Sequence, residues 1–204
     1  MDAVRVALLR EVLAGTEWLG ATRRFAAVLR GSVVSHGGGL LLVGSARYEP
    51  WHLAAHLVDE AAWSGTRELA PTLVRHHPRP TDPAHLAVGL GRIEAARRGE
   101  TLLVATPAGD APLLERVSDA RRAGVTILAL GVGKGVGVGE AELTALAHET
   151  LAVPDGSALD LDTVQHLVSA AAGETLPPTR GRRRFRDRLS HLAERLTAPP
   201  PPAW

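Results

Sequence analysis

The sequence predicts an α/β fold: a three-layer α/β/α sandwich around a parallel sheet of about five strands. Two observations carry this prediction. Short runs of continuously apolar residues recur along the chain, as expected for strands that are buried on both faces. Each run is followed by a segment with helical spacing, which is the pattern of helical crossovers between parallel strands. The chain has 204 residues, 45% of them hydrophobic and 22% charged, enough to bury a sizeable core.

The first part of the chain is predicted to be helical over residues 2–35, with a break at Gly15 and Thr16. The run Gly37-Gly38-Gly39 is expected to end this segment, because glycine accepts the left-handed conformation of a helix stop. Leu40–Val43 is then predicted as a strand, and Gly44–Pro50 as a loop.

The middle of the chain repeats this alternation. A helix is predicted over Trp51–Trp63, a strand over Leu69–Val74 and a second helix from Asp82-Pro83 through Arg98. The strand Thr101–Ala105 and the helix Ala111–Ala123 follow, and Asp110 is placed to cap that helix.

The remaining predicted elements are a strand at Val125–Leu130, a glycine-rich loop at Gly131–Gly139, a helix at Glu140–His148, a strand at Leu151–Val153 and a helix at Asp160–Ala172. This order divides the chain into a helical segment at 1–36, an α/β domain at 37–174, and a Pro- and Arg-rich linker with a basic amphipathic helix at 175–204. The apolar stripe of that last helix is formed by Phe185, Leu189, Leu192 and Leu196.

Composition restricts the class of protein. The chain has no cysteine, which excludes disulfides and thiolate sites and agrees with a reducing compartment. No apolar run approaches the roughly 20 residues that span a bilayer. We therefore expect a cytoplasmic protein that does not enter a membrane. The formal net charge of +1 gives no general attraction for nucleic acid.

The junction between the strand Thr101–Ala105 and the next helix predicts a binding site. Small residues there leave backbone amides free at the carboxyl edge of the sheet, where an anionic group is favoured. On this interpretation the amides of Ala108, Gly109 and Asp110, aided by Thr106 and Ser45, hold a phosphate or a sugar hydroxyl. The alternative is an ordinary turn in which Asp110 only caps its helix and would repel a phosphate.

The order of elements and the stretch from Gly99 to Leu130 resemble the sugar isomerase (SIS) domain, most closely the phosphoheptose isomerase-like members. The matching residues are Thr106 at the first hydroxyl position of the family's loop and the retained Gly109, with Ala108 and Ala111 where further hydroxyls stand. The resemblance implies a doubly wound sheet of the flavodoxin type, a phosphorylated sugar or related derivative as ligand, and a homodimer or homotetramer. It also implies that Gly44 and Ser45 belong to the substrate loop.

Two histidines one helical turn apart suggest a metal site. Side chains at this spacing, such as His52 and His56, share a helix face and can bind one ion. The resemblance places a metal ligand at His52 and the catalytic base at His56, and adds Gln165 as a further ligand for a divalent metal such as zinc. The family's distal histidine falls on Gly173.

These observations leave three functions open. The first is a sugar-phosphate-binding protein that acts as an aldose–ketose isomerase, with His56 as its base and Glu49 or His166 as substitutes. The second is a non-catalytic sensor or oligomeric scaffold that has lost the family's hydroxyl set. The third is a metal-dependent hydrolase built on His52 and His56, for which the sequence offers no convincing third ligand.

Two other patterns favour structural interpretations. The glycine-rich loop lacks the spacing of a phosphate-binding loop, because Lys134 is followed by glycine rather than Ser or Thr. The group His76, His77, Asp82 and His85 lies in a proline-rich segment whose extended backbone opposes convergence on one ion.

Overall fold

A computed structural model describes residues 11, 13–14, 16–107, 110–131, 138–153 and 159–174. Its sheet has five strands, all parallel, in the spatial order β2-β1-β3-β4-β5. The strands are β1 (Leu40–Val43), β2 (Pro71–Val74), β3 (Thr101–Ala105), β4 (Thr126–Leu130) and β5 (Glu149–Leu151). This is the doubly wound α/β arrangement that the sequence predicts.

Helices cover both faces of the sheet. They are α1 (Glu17–His36), α2 (Trp51–Ser64), α3 (Gly91–Glu94), α4 (Ala111–Arg122), α5 (Val138–Leu146) and α6 (Leu161–Gly173), with short 3-10 turns at Arg67–Leu69 and Ala84–Leu86. One core cluster joins α1, α2 and α6 to the sheet, and the other joins α3, α4 and α5 to the opposite face.

The continuous apolar runs are explained by this two-sided burial. In β3, Leu103 packs into the core with α1, α2 and α6, whereas Leu102 and Val104 pack into the other core. Successive strand side chains point to opposite faces, so a strand covered on both sides needs apolar residues at every position. All five residues of β3 are buried.

The helix α1 stops where the glycine run predicts. Gly37 adopts the left-handed conformation with φ 63°, and its N–H donates to the carbonyl of Val33. A residue with a Cβ would be strained there. The break predicted near Thr16 is also found, since α1 begins at Glu17.

The predicted helix from Asp82 through Arg98 is wrong. Only the 3-10 turn Ala84–Leu86 and the single-turn helix α3 form in this range. The backbone N–H of Arg75 donates to Val88 across 2.8 Å, and Arg75 forms an isolated parallel bridge with Gly89. Tertiary pairing with the end of β2 therefore interrupts a helix at Val88 and Gly89, and the two glycines of the segment give a helix little intrinsic support.

The last strand is displaced by two residues from its predicted position, to Glu149–Leu151. The N–H of Gly131 donates to the carbonyl of Leu151. In the described part of the chain no helix is long and apolar enough to cross a membrane. The predicted stripe of the basic C-terminal helix lies outside the described residues.

Candidate functional site

The carboxyl edge of the sheet has its topological switch point between β1 and β3. From β1 the chain order runs outward to β2 on one side and through β3, β4 and β5 on the other. In doubly wound folds, ligands bind in the crevice at such a point. The segments that follow the two strands at this point are 44–50, after β1, and 106–110, after β3.

Close packing within the first loop requires its glycine. A Cβ on Gly44 would lie 1.8 Å from the carbonyl oxygen of Tyr48. The loop is a tight turn in which the N–H of Tyr48 donates to the carbonyl of Ser45, and Ser45 is buried. The role of Gly44 and Ser45 in binding stays a prediction. The structure explains these residues by the packing of the turn, which leaves no room for a Cβ at Gly44 and buries Ser45.

The second loop begins with an inward-facing residue. Thr106 is fully buried, and its N–H donates to the carbonyl of Leu130 in the neighbouring strand. Ala108 and Gly109, the other predicted binding residues, lie outside the described residues. Of the binding residues predicted in this loop, Asp110 is therefore the one whose side-chain contacts the structure describes.

The Asp110 carboxylate joins the two loops. One oxygen accepts from the N–H of Leu113 at 3.0 Å, which confirms the predicted cap of α4. The other accepts from the N–H of Ala46 at 3.1 Å. The protein's own carboxylate thus accepts from a loop N–H and from a helix N–H that it shares with the Asp110 carbonyl.

On its other side the first loop is tied to α6 through Tyr48. Its hydroxyl donates to Asp162 at 3.0 Å and accepts from the Gln165 amide nitrogen at 2.6 Å. Both hydrogen-bonding roles of the phenol are thus filled. Burial is the main cause that raises the pKa of Tyr48 to about 12. The hydrogen bond from Gln165 lowers this pKa, and the negative charge of Asp162 raises it.

The ionisation of Tyr48 can be followed directly, because it is the chain's only tyrosine. At about pH 11 an ordinary phenol is about nine-tenths ionised. We expect the folded protein to show only a small tyrosinate absorbance there, and Asp162→Asn to lower the midpoint. Unfolding in urea should return the midpoint to about 10. A native midpoint near 10 would contradict the buried network.

Three histidines converge where α2 packs against α6. His52 and His56 lie on successive turns of α2, and His166 lies on α6. Their ring centroids are 4.4 to 4.7 Å apart, and ligand atoms from the three rings all lie within 4.8 Å of one another. We call this group the histidine cluster. Among the described residues it is the one group of three or more His, Cys, Asp or Glu side chains with this geometry.

Two rings of the histidine cluster, those of His56 and His166, are favoured in the neutral form. Burial lowers the pKa of His166 to about 4, and the neighbouring His56 and His52 lower it further. Burial is also the main cause that lowers the pKa of His56, and the nearby His52 adds a smaller lowering. Neutral imidazoles keep a nitrogen lone pair, which is the form that binds metal ions.

Two buried side-chain polar atoms in this region have no hydrogen-bond partner. They are Nε2 of His56 and Oε1 of Gln165, whose side chain is only 2% exposed. The Gln165 amide is oriented by its bond to Tyr48, so Oε1 is left to accept. Buried unpaired polar atoms carry a free-energy cost, so their presence points to a cation or a donor that satisfies them.

The donor set fits a divalent transition metal. Three imidazoles are the ligands of many catalytic zinc sites, and Zn–N distances are about 2.0–2.1 Å. A tetrahedral site brings its nitrogens to about 3.3 Å from one another, so the three rings need only small side-chain rotations to close on an ion. His52 is exposed, which leaves the cluster open to solvent on one side.

The predicted site residues thus separate into two groups. His52 and His56 come together as expected, and the third ring beside them is that of His166, which the sequence analysis offered only as a substitute base. Gln165, predicted as a ligand, holds Tyr48 with its amide nitrogen. His166 is the one histidine in an otherwise largely apolar helix, and this signal could have indicated it. The structural role of Tyr48 had no such signal.

Three of the remaining candidates, Glu49, His76 and Asp82, are engaged in structural contacts. Glu49 pairs with Arg75 at 3.1 Å, and Arg75 also pairs with Asp82 at 2.5 Å and lies over the ring of Trp51. His76 donates from Nε2 to the carbonyl of Gly44 at 3.0 Å. These contacts hold Glu49 and Asp82 in ion pairs, in agreement with the structural interpretation of the segment around His76.

Comparisons with known proteins identify no family for this chain. No protein-family model matches the sequence, and a search of curated proteins finds no match.

Proposed function

We propose that this protein binds a divalent transition metal ion, with zinc as the first candidate, and uses it to hold a carbohydrate derivative at the carboxyl edge of the sheet. The histidine cluster is the observation that carries the proposal. It brings three imidazole side chains together and has an open side, as in sites that keep a position free for a ligand. The resemblance to sugar isomerase domains supports the choice of ligand class.

When bound, such an ion acts as a Lewis acid toward an oxygen atom of the ligand. The chain's own groups suit an oxygen-rich molecule as well. Gln165 offers an unpaired buried acceptor, and the orientation of its amide is fixed by Tyr48. Hydroxyl groups of a polyol can donate to such an acceptor and also coordinate an ion.

Binding is better supported than isomerisation. An aldose–ketose isomerase needs a base for the proton next to the carbonyl. His56 cannot hold a metal ion and serve as the free base at once. Glu49 is held by Arg75, and Asp162 accepts from Tyr48. We therefore propose a binding or sensing role ahead of catalysis, in the homo-oligomer that the resemblance implies.

The test is thermal unfolding with neutral aldoses, ketoses and their phosphate esters, in the presence and absence of Zn²⁺. At a hundred times its dissociation constant a ligand adds about 2.7 kcal/mol to the free energy of unfolding. We expect at least one sugar to stabilise the zinc-loaded wild type but not the His52→Ala variant. Failure of every sugar to stabilise the zinc-loaded protein would contradict the proposal.

A metal-dependent hydrolase is a second candidate, because His166 supplies the third ligand that the sequence did not reveal. Three nitrogen ligands with an open position also suit hydrolysis by an activated water. Hydrolysis of a simple activated ester that requires Zn²⁺ and is lost in His52→Ala would favour this candidate. Hydrolysis at the same rate in both proteins would exclude it.

A further inference from the structure

A carboxylate at the switch point bridges the loop after β1 and the start of α4. The Asp110 side chain accepts from Leu113 at the start of α4 and from Ala46 in the loop after β1. These two N–H groups come from different elements, and free N–H groups of this kind are what a bound phosphate uses in doubly wound folds. Here an internal anion already occupies both of them.

From this geometry we propose that Asp110 excludes phosphate from the crevice, so that the carbohydrate derivative bound there is not phosphorylated. The inference rests on the proposed function for the identity of the ligand. A phosphate at the start of α4 would have to displace the Asp110 carboxylate from two N–H donors and then lie beside its negative charge. The macrodipole of α4 is also already compensated by that charge.

The opposite side of the same loop adds to this selectivity. Asp162 accepts from the Tyr48 hydroxyl, and Asp160 caps α6 by accepting from the N–H of Thr163 at 2.7 Å. The loop after β1 is thus contacted by carboxylates at Ala46 and at Tyr48, and both negative charges oppose an anion bound at this loop. A neutral polyol meets no such repulsion, and its hydroxyls can donate to carboxylate oxygens and to Gln165.

The direct test uses inorganic phosphate on the metal-free protein, with the backbone amide resonances of Ala46 and Leu113 as the readout. In the wild type we expect these resonances not to respond saturably. Asp110→Ser keeps a capping hydroxyl, so the helix start is preserved while the charge is removed. We expect phosphate to bind this variant at least about tenfold more tightly than the wild type. The Asp110 carboxylate no longer competes for the two N–H groups, and a charge-assisted hydrogen bond corresponds to about a factor of ten or more in affinity.

Asp119→Ser is the matched control, because it removes a carboxylate from the exposed far end of the same helix. It should behave as the wild type does. Circular dichroism should show unchanged helix content in both variants. A saturable phosphate response in the wild type, or no gain in Asp110→Ser, would overturn the inference.

The second arm uses matched pairs of a sugar and its phosphate ester on the zinc-loaded protein. We expect the unphosphorylated member to bind more tightly to the wild type and the difference to shrink or reverse in Asp110→Ser. Preference of the wild type for the phosphate ester would overturn the inference while leaving the proposed function standing. If neither member of any pair binds, the proposed function fails, and the phosphate titration still decides the role of Asp110.

Discussion

Zinc is expected to raise the melting temperature of the wild-type protein by about 5 to 10 °C at a hundred times its dissociation constant. This corresponds to about 2.7 kcal/mol of linkage, at about 2–4 °C per kcal/mol for a domain of this size. Binding should follow one-to-one stoichiometry in calorimetry. With Co²⁺ in place of zinc, the visible absorption should be that of a four-coordinate, tetrahedral site.

The His52→Ala variant is expected to lose metal affinity by about a hundredfold or more, because it removes one of three protein ligands. His52 is exposed, so this change should leave the unliganded protein folded. His85→Ala is the matched control, since His85 is exposed and lies outside the histidine cluster. Stoichiometric binding that survives in a His52→Ala/His56→Ala double variant would disprove the assignment of the ligands.

The Gly44→Ala substitution is expected to destabilise the protein by about 3 kcal/mol, as an added atom in a closely packed position does. The new methyl group would lie 1.8 Å from the Tyr48 carbonyl oxygen and 2.8 Å from the Pro50 ring. Backbone atoms cannot move aside as a flexible side chain can, so the loop after β1 must change shape. Urea unfolding monitored by circular dichroism measures the loss.

A second glycine provides a control of opposite sign. Gly31 lies in α1, and a Cβ there meets no heavy atom within 4 Å. Gly31→Ala should stabilise the protein by about 0.5–1 kcal/mol, because alanine loses less conformational freedom in a helix. If both substitutions have the same small effect, the close approach in the loop does not constrain the chain.

Much of the fold could be predicted from hydrophobic patterning. The strand Thr101–Ala105 and the start of the helix at Trp51 are found as predicted, since apolar runs, helical spacing and glycine stops are local signals. The segment from Asp82 to Arg98 was not predictable in this way. Its conformation depends on pairing with Arg75, which is close in space but distant from most of the segment in sequence.

The candidate site was predictable only where its parts share one element. The spacing of His52 and His56 is visible in the sequence because both lie on α2. Their approach to His166 is a consequence of how α2 packs on α6, and no local pattern records that packing. The bond from Ala46 to Asp110 likewise joins two crossovers that only the strand order brings together.

The histidine cluster has a consequence for the chain as a whole. His56 and His166 are 110 positions apart, so an ion bound by both would connect α2, near the start of the sheet, to α6, which follows its last strand. The unfolded chain would have to close this long loop before it could hold the ion, so the ion binds the folded state in preference and stabilises it. Fraying of α6 would then require release of the ion, and a protease that digests the domain from this end should be slowed by zinc.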